Sequence, residues 1–194
     1  MRLPRAKVLA GFATMAEADR DRLEKLFQTH AAPAGGYPVR EVVLFGLSEM
    51  ARARRCASLL QQHDATELGR LMTRSHDGDR VSRLTARGRR ERLAATVSDR
   101  ELLIWGRRRG SAEDIADLTG AYGCSLPELD QIVDLAVKLP GVRGAQLAGA
   151  GLGGCVMVLA QQEHAARVLT SLANAGIEAS PFHPIAGAGP LVLV

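Results

Sequence analysis

Residues 140–160 read PGVRGAQLAGAGLGGCVMVLA, and how this stretch is read decides the fold. Val142 to Ala148 alternates in the manner of a strand, and Cys155 to Ala160 is a second strand carrying β-branched residues. Between them lies GAGLGG, residues 149–154, so the unit is strand, glycine loop, strand. Gly149, Gly151 and Gly154 satisfy the G-x-G-x-x-G spacing of a dinucleotide-binding turn, but that turn needs a helix next, where the pyrophosphate meets the helix N-terminus. Here a strand follows. No Gly-Lys-Ser/Thr follows either, which excludes a Walker loop. Two readings stand: a hairpin whose glycines only permit positive φ, or a backbone concavity whose N–H groups receive an anion.

Working outward, Ser125-Leu126-Pro127-Glu128 has the form of a capping box with Ser125 as N-cap and Pro127 in the first turn. The helix it predicts places Leu129, Ile132, Val133, Ala136 and Val137 on one face and stops at Pro140-Gly141. After the second strand, Ala165, Val168, Leu169, Leu172 and Ala173 form another amphipathic helix closed by Gly176, with further strands expected over 177–183 and 191–194. The sum is an α+β fold, a sandwich with helices on one face of an antiparallel sheet. Upstream the period is helical. Leu23, Leu26 and Phe27 mark a helix over 16–30, broken by AAPAGG at 31–36. In the helix predicted over 39–62, Val43, Leu47, Met50, Ala53, Ala57 and Leu60 form the inward face, opposite a solvated Arg-rich one. A shorter helix follows over 65–75, with Leu68, Leu71 and Met72 inward, ending at the polar turn His76-Asp77-Gly78-Asp79. Residues 80–110 read as a charged, partly irregular excursion ending in a short helix at Glu101–Trp105.

Composition bounds the function. The 194 residues are 46% apolar and 24% charged, enough for one sizeable domain, and the seven aromatic residues leave Leu, Val and Ala to fill the core. So few aromatics argue against a base-stacking platform for single-stranded nucleic acid. The net charge of +4 is uneven: residues 80–109 hold ten Arg against Glu91, Asp99 and Glu101. Without aromatic interleaving or a DNA-binding motif, that run reads as a solvated face, and neither nucleic acid nor a membrane is an expected partner. Cys56, Cys124 and Cys155 fit neither a disulfide framework nor a metal knuckle, and no window reaches membrane-helix length, so a cytoplasmic location is expected.

Taken together, CSLPELD at 124–130, PGVRGAQLAGAGLGGCVMVL at 140–159 and PIAGAGPLVL at 184–193 resemble the C-terminal part of galactokinases and their relatives in the GHMP kinase superfamily. REVVLFGLSEMARARRCASLLQQHDATELGRLMTRSHDGDRVS at 40–82 resembles the helical region that precedes that part. The resemblance implies a ferredoxin-like sandwich preceded by helices. It divides the chain into an N-terminal helix and linker, 1–35, and a GHMP kinase C-terminal-like domain, 36–194, mainly helical over 36–110 and α+β with the glycine loop over 111–194. It also implies that Gly149, Ala150, Gly151, Leu152, Gly153 and Gly154 are cofactor-binding, beside the nucleotide phosphates, with ATP and Mg²⁺ serving the complete enzyme. The family's Pro-x-x-x-Gly-Leu-Ser-Ser-type phosphate loop and its Asp base belong to the N-terminal half, and this chain shows neither. Gly46-Leu47-Ser48 is a look-alike inside a helical period, with Glu49 in place of the second Ser.

The chain is therefore expected to be the C-terminal domain of a kinase that moves the γ-phosphoryl group of ATP to a sugar hydroxyl, with a separate N-terminal half as partner. Alone it should lack catalytic residues, resident metal, activity and tight nucleotide binding. The alternative is a non-catalytic module of the same fold that binds a partner protein or small ligand. His76 with Asp77 and Asp79 reads as a polar helix end, Cys155 as a small buried apolar residue, and His183 as the end of a strand.

Overall fold

The computed structural model describes residues 2–11, 14–85, 87–93, 97–107 and 115–178. Two short helices open it, α1 (Arg5–Gly11) and α2 (Glu17–Gln28). Paired backbone bonds between Leu3 and Tyr37 tie the segment down, and Phe27 is buried with its ring 5.2 Å from that of Tyr37. Leu26, beside Phe27 in the helical period, is exposed.

Helix α3 (Val39–Gln61) forms where its period predicts, but it turns the other face to the protein. Glu41, Leu44, Ser48, Ala51, Arg52 and Leu59 are buried, whereas Val43 (52%), Leu47 (47%), Met50 (54%) and Leu60 (61%) are exposed. The polar face can go inward because it is hydrogen-bonded there. Arg52 Nη1 donates to the carbonyls of Ala116 at 2.8 Å and Leu118 at 2.6 Å, its Nε donates to Glu49 Oε1 at 2.8 Å, and Ser48 Oγ donates to Leu44 O at 2.7 Å. Gly46, Leu47 and Ser48 thus lie in mid-helix.

Helix α4 (Ala65–Asp79) starts at Asp64, whose side chain accepts from the Glu67 amide at 2.9 Å. It runs four residues beyond the expected end, so His76 to Asp79 are its last turn, not a loop. Gly78 survives inside the helix because Phe45 and the Thr119 carbonyl press where a Cβ would be. Where an irregular excursion was expected, strands β1 (Ser82–Leu84) and β2 (Arg90–Arg92) pair antiparallel, and α5 (Asp99–Arg107) follows.

Helix α6 (Pro127–Ala136) begins one residue later than the capping box implies. Pro127 holds its predecessor extended, so Leu126 (φ −116°, ψ 153°) occupies the cap position with no side-chain hydrogen bond, and Ser125 is buried just outside the helix. Strands β3 (Val142–Ala148) and β4 (Cys155–Ala160) pair antiparallel, with Ala148 opposite Cys155 and Gln146 opposite Met157. Helix α7 (Ala165–Asn174) closes the described part; Ile177 and Glu178 are irregular, and the rest of the strands expected over 177–183 and 191–194, with His183, lies outside the described residues.

Two cores result. Val133 and Ala136 of α6, Ala145 of β3, and Val168 and Leu172 of α7 form one, with Val156, Val158 and Ala160 of β4 packed against it. The alternate β4 residues point away, leaving Met157 and Cys155 exposed, so Cys155 is not the buried residue expected. This is an α+β arrangement with helices on one face of an antiparallel pair. Ala51, Leu59, Leu71 and Ala116 form the other core, between α3 and α4. The two meet where α4 crosses β3: Gly69 and Gly144 bring their backbones so close that a Cβ on either would collide with the other strand of chain.

Candidate functional site

The glycine loop joins β3 to β4 and is held from below. Gly149, Gly151, Gly153 and Gly154 all have positive φ (84°, 82°, 133° and 102°), and so does Leu152 (61°), a conformation that costs a non-glycine residue roughly 1 kcal/mol or more. What holds Leu152 there is a backbone bond: its N–H donates to the Cys124 carbonyl at 2.6 Å. Gly151 lies directly on Cys124, with the thiol and carbonyl where a Cβ would sit. Gly149 and Gly153, by contrast, have no atom within 4 Å of that position, and the Leu152 side chain is 81% exposed. Gly151 is therefore a packing glycine, and the open backbone is at Gly149 and Gly153.

Cys124 is itself fixed to α4. Its thiol donates to Asp79 Oδ1 at 3.0 Å, and the amides of Tyr122 and Ser125 bond the carbonyls of Gly78 and Asp79 at 2.8 and 2.9 Å. The Tyr122 ring stacks on Phe45 of α3 at 5.3 Å. Burial pushes the Asp79 carboxyl up, only partly offset by the thiol hydrogen bond, and burial together with Asp79 pushes the Cys124 thiol up to about 12. Such a thiol is not a nucleophile; it is a hydrogen-bond donor.

Beside this pair lies a buried polar cluster. His76 Nδ1 accepts from the Leu147 amide of β3 at 3.3 Å, which places the ring proton on Nε2, 3.2 Å from Asp130 Oδ1. Asp130 Oδ2 accepts from the Val81 amide at 3.1 Å, the Ser82 amide at 2.7 Å and Ser82 Oγ at 2.8 Å. Burial acts to raise the Asp130 carboxyl, but hydrogen bonds from His76, Ser125 and Ser82 outweigh it and bring it to about 2. Arg80 and Arg90 converge on Asp134 at 2.7 and 3.3 Å, and Arg90 Nη1 also donates to Ser82 Oγ at 2.8 Å. Two arginines of the basic run are thus held in ion pairs, half-buried, whereas Arg83, Arg87, Arg89 and Arg92 are exposed. The cluster joins α4, β1, α6 and β3 into the support on which the loop rests.

All six expected site residues, Gly149 to Gly154, form one loop, with Gly149, Ala150, Leu152 and Gly154 exposed and Gly151 and Gly153 half-buried. Sequence reasoning missed Cys124 and Asp130, although both lie in the quoted CSLPELD. The available signal was an acid directly after the inward-facing Leu129, on a helix face that otherwise reads as core. His76, expected in a helix-terminating polar turn, is fully buried, because the helix continues past it and turns its ring onto β3 and α6. Among the described residues no three His, Cys, Asp or Glu side chains stand close enough to hold a metal ion, and no helix is long and apolar enough to cross a membrane.

Residues 102–178 match the family model described as GHMP kinases C terminal. The chain is 32% identical to the galactokinase of Bos taurus over 142 residues, 72% of this chain and 35% of that protein. It is 33% identical to the galactokinase of Homo sapiens over 132 residues, 67% of this chain and 32% of that protein. The galactokinase of Clostridium perfringens (strain SM101 / Type A) is 37% identical over 77 residues, covering 37% of this chain and 20% of its own length. The chain thus spans about a third of the length of the mammalian relatives it matches.

Proposed function

We propose that this chain, which carries a galactokinase-like GHMP kinase C-terminal part, serves a kinase that transfers the γ-phosphoryl group of ATP to a sugar hydroxyl. The observation that carries this reading is the loop at Gly149–Gly154: held from below by Cys124, it offers bare backbone at Gly149 and Gly153, where phosphate oxygens can approach without meeting a side chain. Bound ATP supplies the transferable group. The residues of this chain do the positioning: Leu152 N–H is fixed on the Cys124 carbonyl, and Asp79 accepts the thiol hydrogen bond that keeps Cys124 in place. In this reading the base for the sugar hydroxyl and the residues that hold Mg²⁺ come from the N-terminal half of a complete enzyme. The proposed setting is cytoplasmic, with that half as partner.

A coupled ATP-consumption assay across common hexoses tests the reading. The chain alone should show no turnover; mixed with the N-terminal half of a related galactokinase, it should restore some. Leu152→Asp then places a negative charge on the exposed tip, in a conformation that Asp tolerates, and should abolish the restored activity without lowering the melting temperature. Gly151→Val is no substitute, since it would strike Cys124 and destabilise the fold whatever the loop binds. Restored turnover indifferent to Leu152→Asp would remove the loop from the nucleotide site. Failure to reconstitute with both parts folded would favour the non-catalytic module.

A further inference from the structure

We propose that Tyr122 is a stacking platform for the pyranose ring of the acceptor sugar, with the Glu49 carboxylate beside it to receive hydroxyl hydrogen bonds. The proposal rests on the sugar-kinase reading and names where this chain itself meets the acceptor. The Tyr122 ring is stacked on Phe45 at 5.3 Å, with 14° between the planes, yet the residue is 51% exposed. One face is therefore covered and the other is open. The ring is also firmly seated. The Tyr122 and Gly123 amides both donate to the Gly78 carbonyl, at 2.8 and 3.2 Å, and Phe45 presses on Gly78 where a Cβ would be. Gly120, at φ 60°, lays the same segment on the Phe45 amide so closely that a side chain would collide with it. Helices α3 and α4 and the segment at 120–123 thus converge to fix one aromatic ring with a bare face.

The surroundings of the ring select the ligand. Two residues on, the Cys124 carbonyl holds the Leu152 amide, so at most about 7 Å of backbone separates the platform from the anchor of the glycine loop. Glu49 lies one turn beyond Phe45 on the same side of α3. After burial, the Glu49 charge is what raises the Asp79 carboxyl, so Glu49 stands near the Gly78–Asp79 end of α4 that also holds Tyr122. Its Oε1 takes both bonds from Arg52, and Oε2 has no hydrogen-bond partner among the described residues. An aromatic face with a carboxylate at its side suits a neutral ring that has C–H bonds on one face and hydroxyls at its rim. The C–H bonds meet the negative π face, and a hydroxyl donates to the carboxylate. The nucleotide fits less well. In phosphoryl transfer the acceptor hydroxyl touches the transferred group, whereas the nucleobase is a ribose and two further phosphates away, so a platform this close to the loop belongs to the acceptor.

Saturation-transfer NMR on the full chain, without ATP or a second half, should show methyl galactopyranoside binding with roughly millimolar affinity, transfer being strongest to the C–H protons of one ring face. Galactitol, which has the hydroxyls but no ring, should receive far less. Tyr122→Phe keeps the flat face and should keep the contact. Tyr122→Leu still covers Phe45 but offers no flat face, and should weaken binding at least about fivefold with melting unchanged. Glu49→Gln, which retains an oxygen for Arg52, should weaken it about threefold. In the unaltered chain the Tyr122 ring protons should shift as the glycoside is added, a readout that needs no variant to fold. No contact up to about 50 mM glycoside would overturn the proposal. So would a contact that survives Tyr122→Leu or Glu49→Gln, equal transfer to galactitol, or a Tyr122 ring that responds to ATP and not to the glycoside. None of these measurements involves turnover, so their failure is distinct from a failure to reconstitute activity, which tests the kinase reading itself.

Discussion

Helices α3 and α6 have equally clear apolar stripes in the sequence and opposite fates in the fold. In α6 the stripe is the core: Leu129, Val133 and Ala136 are buried, and Val133 and Ala136 pack with α7 and the β3–β4 pair. In α3 the stripe is the surface, and the buried side carries Glu41, Ser48 and Arg52. The period of apolar residues identifies a face but does not say what lies against it. What decides is whether the opposite face can satisfy its polar groups. In α3 it can, since Arg52 finds two carbonyls and Glu49, and Ser48 bonds Leu44.

The strongest challenge to that contrast is Arg52→Leu. It strands the Ala116 and Leu118 carbonyls, and should cost about 2 to 4 kcal/mol by urea denaturation. A small loss would mean that the polar face of α3 is merely tolerated. Next is Val133→Ala in α6, expected to cost about 2 kcal/mol through the cavity it leaves. A smaller effect is expected at Asp79. Its folded carboxyl lies above its unfolded value of about 3.9, so its contribution is present below that value and is lost as pH rises through the folded one. Asp79→Asn, which keeps an oxygen for the Cys124 thiol, should therefore raise the melting temperature modestly at pH 7 and leave it unchanged in acid. The smallest effect is expected on the exposed stripe: Met50→Ser should change stability by no more than about 0.5 kcal/mol in urea denaturation. A large loss there would return the stripe to a core.

Legibility followed the range of the interactions. The β3 and β4 strands, the intervening glycines, α6 and α7 were readable because a two-residue period, a Pro and a Gly each act locally. The loop was readable as a unit for the same reason. Its inner and outer sides were not, because Gly151 packs on Cys124, 27 positions earlier in the chain, and no local pattern records that contact. Asp130 and His76 were hidden likewise: each is a polar residue made acceptable in the interior by partners on other elements. Ser125 illustrates the converse failure. A correct local pattern was overridden by Pro127, which moved the cap one residue on.

The contact of Gly69 with Gly144 has a consequence for where this domain can be cut. The family match starts at residue 102, yet α4 lies wholly before it and supplies the backbone welded to β3, the imidazole that receives the Leu147 amide and the carboxyl under the glycine loop. A fragment trimmed to the match would lose that wall and leave Asp130 without His76. The support of the glycine loop thus begins upstream of the match: the loop inherits its shape from a helix packed onto β3 across a long stretch of intervening chain, and closing that long-range contact, not forming the hairpin itself, should set the pace at which the loop reaches its final form.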